Sequence, residues 1–233
     1  PDIPSAIVVP AHPTNVLWPV NHPRVLCLHT PEEPSDDYEG TPRYFAEPDR
    51  GCSTHYYADN DGDLYQMVPE ANGALANGVL GKPYPADTDP TISLNYQSLS
   101  IEIEGYAATI AQTLTEAQRV TVVRWIRDCA RRYGIPVDRA HIIGHYEVAT
   151  NRSDPGTLDI QNLIDAALEG DMNEDAVRTM IDGHFEATVV PRLEEVMAVL
   201  RAERLAWQEA HVRDWHGLGA TPEHDHDPGK VRR

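Results

Sequence analysis

Residues 115–136 constrain the fold more than any other stretch. Thr115-Glu116-Ala117-Gln118 has the capping-box pattern, in which side chains satisfy the first unbonded amides of a helix. Val120, Val123, Ile126, Ala130 and Tyr133 then recur at the spacing that gathers apolar side chains on one helical face. Gly134 suits the left-handed position after the last turn, and Pro136 cannot continue a helix. A helix with one apolar stripe must bury it against something. Its neighbours in sequence are short β-type runs, so the expected fold class is α/β, a mixed central β-sheet flanked by helices.

Those runs can be placed individually. Val25–Leu28 is a short apolar run of the kind buried on both faces. Tyr56–Ala58 and Leu64–Met67 flank the turn formers Asp59-Asn60-Asp61-Gly62 and read as a hairpin. In Leu99–Ile103, Ile101 and Ile103 share one face and Glu102 takes the other. Ala140–Gly144 is a further short strand.

After Gly170 the pattern changes. Val177, Met180, Ile181, His184, Phe185 and Val189 form one helical stripe beginning near Asn173, and Leu193, Val196, Leu200 and Trp207 form another after Pro191. The expected organisation is a domain over 1–170 and a helical C-terminal extension over 171–233. That extension is read as a hairpin or linker, with self-association through its helices and a mobile polar tail. The tail histidines His211, His216, His224 and His226 have no established metal-ligand spacing and are read as solvated.

Composition narrows the function. The chain has 37 acidic against 19 basic residues, a formal net charge of −18, which repels phosphate backbones and argues against a nucleic-acid partner. No run of about 18 apolar residues is present, so membrane insertion is not expected. Three cysteines, Cys27, Cys52 and Cys129, cannot all pair, which points to buried thiols and synthesis in a reducing compartment. The chain opens on Pro1 without a signal-peptide pattern, and the reading is a processed product or a piece of a longer protein.

Three segments place polar, potentially ligating side chains within or at the end of apolar strands: Leu26-Cys27-Leu28-His29-Thr30, Ser98–Gly105 with Glu102 and Glu104, and Gly144-His145 followed by Asp154-Pro155-Gly156. Strand ends are rigid mounts whose loops open to solvent. Two histidines and a carboxylate suffice for catalytic zinc, with a fourth position left for water. Residue types alone leave the choice open. The chain has 11 histidines. His141 lies four residues before His145, and i and i+4 share a face along a strand. His55 is chemically competent too, and Glu104 alternates onto the face of Glu102.

The order of these segments resembles the type 2 N-acetylmuramoyl-L-alanine amidase family, whose fold is shared with peptidoglycan recognition proteins, and is most like phage endolysin amidases. The resemblance covers roughly residues 20–168. His29 ends the first strand where the family has its first zinc histidine. Ser53-Thr54-His55-Tyr56-Tyr57 with the following turn resembles the S-x-H-Y segment. Asn95-Tyr96-Gln97-Ser98-Leu99-Ser100-Ile101-Glu102 resembles N-x-x-S-I-G-I-E, Gly144–Ala149 resembles G-H-x-D/E-I-A, and Arg152-Ser153-Asp154-Pro155-Gly156 resembles K-x-D-P-G.

The resemblance implies His29, His145 and Asp154 as Zn²⁺ ligands, Glu102 as general base or water-orienting carboxylate, and Arg152 in place of the family lysine beside the developing oxyanion. It implies His55 as a neighbour that does not coordinate. Two departures stand out. The lysine is Arg152, and A-W-H-A-G reads Ala74-Leu75-Ala76-Asn77-Gly78, without the aromatic ring or the histidine. The implied activity is hydrolysis of the amide between N-acetylmuramic acid and L-alanine in peptidoglycan. The implied setting is an endolysin made in the host bacterial cytoplasm and released onto the wall. A non-catalytic peptidoglycan-binding module on the same fold is the alternative, against which Asp154 argues.

Overall fold

A computed structural model of the chain describes residues 1–18, 20–32, 40–78 and 81–169. The expected helical extension over 171–233 and its tail histidines lie outside the described residues. The centre is a six-stranded mixed sheet in the order β1-β5-β4-β7-β3-β8. These strands are β1 (Ile7–Val8), β3 (Val25–His29), β4 (Tyr56–Ala58), β5 (Leu64–Gln66), β7 (Ser98–Ile103) and β8 (Ile142–Gly144). A small antiparallel ribbon pairs β2 (Val16–Leu17) with β6 (Gly73–Ala74). Strands β4, β7, β3 and β8 all run the same way, so their carboxyl ends share one edge of the sheet.

The alternation in β7 divides the two faces. Leu99, Ile101 and Ile103 join Leu26, Leu28, Tyr56, Ala58 and Ile142 on one side, against Val122, Val123, Trp125, Ile126, Cys129 and Ala130 of helix α3 (Glu116–Tyr133). Each such side chain contributes ~1.5–3 kcal/mol when fully buried. The other face carries two smaller apolar clusters, one around Tyr57, Tyr65, Met67 and Phe45, the other around Val25, Cys27, Leu94, Ile143 and Val148. Between them in strand order come the polar positions of β7: Ser98, Ser100 and Glu102.

Helix α3 is delimited as its sequence predicts. Thr115 Oγ1 accepts from Gln118 N at 3.0 Å, and Gly134 terminates the helix at φ 66°. Its buried stripe is rotated relative to expectation. Trp125 and Cys129 are fully buried, whereas Val120 is half-buried and Tyr133 is 37% exposed. Tyr133 sits in the last turn and sends its hydroxyl to Glu70 Oε2 instead of its ring into the core. The β4–β5 turn forms as expected, with Asp59 Oδ1 accepting from Asp63 N at 2.8 Å and Gly62 at φ +89°.

Other elements differ from the expectation. Strand β3 runs one residue further and includes His29, while β8 is shorter than Ala140–Gly144. The two-residue strands β1, β2 and β6 are too short to show a period, and α1 (Gly40–Ala46) and α2 (Ile110–Thr113) carry little pattern. A further helix, α4, spans 160–169. Its start is capped by Asp159 Oδ1 accepting from Asn162 N at 3.0 Å, and Ile160, Leu163, Ile164 and Ala167 pack into the main core. Among the described residues, no helix is long and apolar enough to cross a membrane.

Candidate metal centre

The common carboxyl edge of the parallel strands builds the site. His29 ends β3, and its register partner on β7 is Glu102, which in turn registers with Tyr57 on β4. Registered residues of adjacent strands stand about 4.8 Å apart and point to the same face. On the other side of β3, Leu28 registers with Gly144, and the chain then turns through a short 3-10 helix, His145–Glu147. This turn swings the His145 ring toward His29.

Local chemistry fixes the turn. Glu147 Oε2 accepts from Gly144 N at 2.7 Å, while Arg139 Nη2 donates to both Glu147 oxygens at 2.9 Å. A Cβ at residue 144 would lie 2.7 Å from the Tyr146 ring and 2.8 Å from Pro155 Cδ, so glycine is required there. The loop carrying Asp154 returns to the turn through Tyr146 N, which donates to Asp154 O at 2.8 Å. Gly156 then adopts φ +57°, and a Cβ there would come within 2.1 Å of Ala107 O. The Asp-Pro-Gly segment is thereby seated on the backbone beyond β7.

These constraints bring His29, His145 and Asp154 together, all buried. His29 Nδ1 and His145 Nδ1 are 3.1 Å apart, and Asp154 Oδ2 lies 3.2 Å from the first and 3.1 Å from the second. A tetrahedral site with bonds of about 2.0–2.1 Å separates its donors by about 3.3 Å. Hydrogen bonding does not account for this triangle. His145 Nε2 lies 3.1 Å from the Asn77 carbonyl, which can only accept, so the proton of neutral His145 is on Nε2 and Nδ1 presents a lone pair. One remaining proton, on His29, cannot serve three edges. His29 Nε2 is itself buried without a hydrogen-bond partner among the described residues. Converging lone pairs in a buried site are what a bound cation relieves.

Electrostatics agree. Burial pulls His29 down to about 4; the Asp154 contact opposes this, and the charges of His145 and Arg152 reinforce it. Burial by itself would raise Asp154, but its contacts with His145 and His29 outweigh it and hold the carboxyl well below the usual carboxylate range. At neutral pH His29 is therefore a neutral imidazole and Asp154 an ionised carboxylate, the states in which such side chains bind metal. Beneath it, burial pushes the Cys27 thiol up, with Asp154 and Glu102 adding to the effect. Cys27, Cys52 and Cys129 are all free thiols, the first and last buried.

The other candidates are sorted by position. Glu102 is half-buried on the face of His29, one strand away. Arg152 is exposed in the loop before Asp154, close enough for its charge to reach His29. His141 is not brought to the triad. It precedes β8 at the opposite end of that strand, and its ring binds Asp138 Oδ1 at 2.7 Å and Asp87 Oδ2 at 3.0 Å. The expectation that His141 and His145 share one strand is corrected by the brevity of β8, which contains neither. His55 is satisfied by Ser100 Oγ and the Asn72 carbonyl, each at 3.0 Å. Glu104 Oε2 accepts from Asn60 N at 2.7 Å and secures the hairpin turn. Sequence reasoning assigned no role to Asn77 or Arg139. Arg139 carried no signal, and Asn77 acts on His145 through a backbone atom that every residue possesses.

A mixed sheet with a buried His-His-Asp triad at the carboxyl edge of its parallel strands defines a candidate metal centre of an α/β protein. A sequence model of the family described as N-acetylmuramoyl-L-alanine amidase matches residues 19–157, and the chain belongs to that family. No curated protein sequence matches it. Among solved structures, a selenomethionine derivative of AmpD aligns at 24% identity over 71% of this chain and 95% of its own, with a TM-score of 0.56. A mutant endolysin from Bacillus subtilis aligns at 17% identity over 70% and 97%, with a TM-score of 0.53. The catalytic domain of XlyA aligns at 17% identity over 70% and 98%, also at 0.53. These likenesses show the shared fold.

Proposed function

We propose that this chain is a zinc-dependent amidase that hydrolyses the bond between the lactyl group of N-acetylmuramic acid and L-alanine in peptidoglycan. We further infer an endolysin role, in which the protein is made in the host bacterial cytoplasm and acts on the wall after release. One observation carries the catalytic reading. Three buried donor atoms of His29, His145 and Asp154 converge within 3.2 Å of one another without the protons to bond them.

The donor set suits catalytic zinc, with three protein ligands and a further position for water. When bound, zinc polarises a carbonyl and lowers the pKa of a water to about 7. The remaining work falls to the chain. Glu102, on the same face as His29, takes the proton from the attacking water and delivers it to the departing alanine nitrogen. A carbon–oxygen bond forms as the carbon–nitrogen bond breaks, leaving a lactyl carboxylate and a new amino terminus. Arg152 sets a permanent positive charge near the oxyanion, a role its guanidinium can fill electrostatically where relatives carry lysine.

The deciding experiment measures metal content of the purified chain together with activity on isolated sacculi, with and without chelator. The expected result is stoichiometric zinc and new L-alanine amino termini that vanish with chelator and return with zinc. Binding to sacculi without release of amino termini would instead establish a non-catalytic peptidoglycan-binding module.

A further inference from the structure

The two histidines of the triad are supported unequally. His145 Nε2 is held at 3.1 Å by the Asn77 carbonyl, whereas His29 Nε2 has no hydrogen-bond partner among the described residues. A metal-binding imidazole presents one nitrogen to the ion, and the group that accepts from the other fixes its tautomer and ring angle. For His145 that group is the backbone of Asn77, in the segment where the family's aromatic ring and histidine are absent.

Asn77 is anchored more firmly than a loop residue needs to be. It is 1% exposed. Its amide N donates to Asn95 Oδ1 at 2.9 Å, and its Nδ2 donates to Ser98 Oγ at 2.9 Å. Ser98 Oγ spends its own proton on the Leu94 carbonyl at 2.9 Å, so it can only accept from Asn77, and this sets the orientation of the amide. The same orientation leaves Asn77 Oδ1 buried without a partner among the described residues. Gly78 follows at φ +58°, turning the chain away. The carbonyl that meets His145 is thus tied to the first residue of β7, the strand that also bears Glu102.

We propose that Asn77 is the positioning residue for the metal ligand His145. Through Ser98 and Asn95 it locks its own carbonyl against Nε2 and so holds Nδ1 deprotonated and aimed at the ion. This inference rests on the zinc reading given above.

The test compares the full chain with its Asn77→Ala and Ser98→Ala variants, using zinc alone as the probe. Zinc affinity is measured by competition with a chelator, the tautomer of His145 by nitrogen NMR of the imidazole, and folding by melting of the zinc-free protein. Wild type should bind zinc with His145 protonated on Nε2. Asn77→Ala should weaken zinc about 10- to 100-fold, the usual effect of losing an outer-shell partner, and mix the tautomers. Ser98→Ala should shift both in the same direction by less, and it carries the test if Asn77→Ala does not fold. Folded variants with wild-type zinc affinity and an unchanged tautomer would overturn the proposal, even if they melt earlier. Failure of the wild type itself to bind zinc would overturn the zinc reading and this inference together.

Discussion

His55, just before β4, and His29, at the end of β3, are both buried histidines, and their surroundings differ in one respect that decides their use. His55 has its Nδ1 lone pair covered by Ser100 N at 3.1 Å and its Nε2 proton taken by the Asn72 carbonyl. His29 faces a second imidazole nitrogen and a carboxylate oxygen, and its outer nitrogen has no partner among the described residues. Two of the buried acids, Glu70 and Asp154, show the same contrast. Glu70, 1% exposed, is met by Arg132 and by the hydroxyls of Tyr56 at 2.6 Å and Tyr133 at 2.9 Å. Asp154 meets no guanidinium or hydroxyl in the triad, only the Nδ1 atoms of His29 and His145 at 3.2 and 3.1 Å. Burial is common to scaffold and site. What separates these pairs is that His55 and Glu70 meet complementary donors and acceptors, whereas the donor atoms of His29, His145 and Asp154 converge on one another.

The sharpest way to break this comparison is to truncate both kinds of histidine. His29→Ala or Asp154→Ala should abolish zinc binding and wall lysis while the domain stays folded, because the main core lies on the other face. His55→Ala should melt earlier yet keep zinc and activity per folded molecule. Chelator-sensitive lysis by His29→Ala would dissolve the distinction. Glu102→Gln should retain zinc but lose about 10²- to 10⁴-fold in kcat on soluble muropeptides, the usual weight of a general base. An equal loss of zinc would move Glu102 from proton transfer to structure.

Arg132→Ala tests the scaffold side. It removes the guanidinium that meets the buried Glu70 carboxyl, and breaking a buried pair costs up to about 3–5 kcal/mol, less here because Arg132 is partly exposed. Denaturant unfolding should record that loss, with activity at low temperature preserved. Acid separates the clusters less strongly. Burial lowers His55 to about 4, while the unfolded chain protonates near 6.5. The unfolded state therefore binds more protons between those values, and zinc-free stability should fall as pH drops from about 6.5 toward 4. A flat profile across that window would contradict the assigned burial. The smallest effect is expected at Arg152. Exposed cations contribute about 1 kcal/mol or less, so Arg152→Ala should lower kcat/KM by roughly fivefold at low salt and less at high salt.

Much of this was legible in advance, though unevenly. Helix α3 announced both ends because caps are local chemistry, a hydroxyl at Thr115 and a left-handed glycine at 134. The alternation in β7 announced its two faces. Helix α4 carries a signal too, in Asp159 and the spacing of Ile160, Leu163, Ile164 and Ala167, but it spans fewer than three turns. Strands β1 and β6, two residues each, have no pattern to read. At the site, motif order singled out His29, His145, Asp154 and Glu102, yet strand periodicity could not separate His145 from His141.

By itself the sequence determined the α/β class, the capped helix, the division of β7 and the residues able to hold a metal, since each follows from side chains a few positions apart. Tertiary structure alone decided which donors meet. His29 and His145 are 116 residues apart, and their contact exists because β3 lies beside β8 and a glycine lets the chain turn sharply at 144. It also decided that the Asn77 carbonyl faces His145, since a backbone oxygen has no signature in sequence and gains its role only from what folds against it.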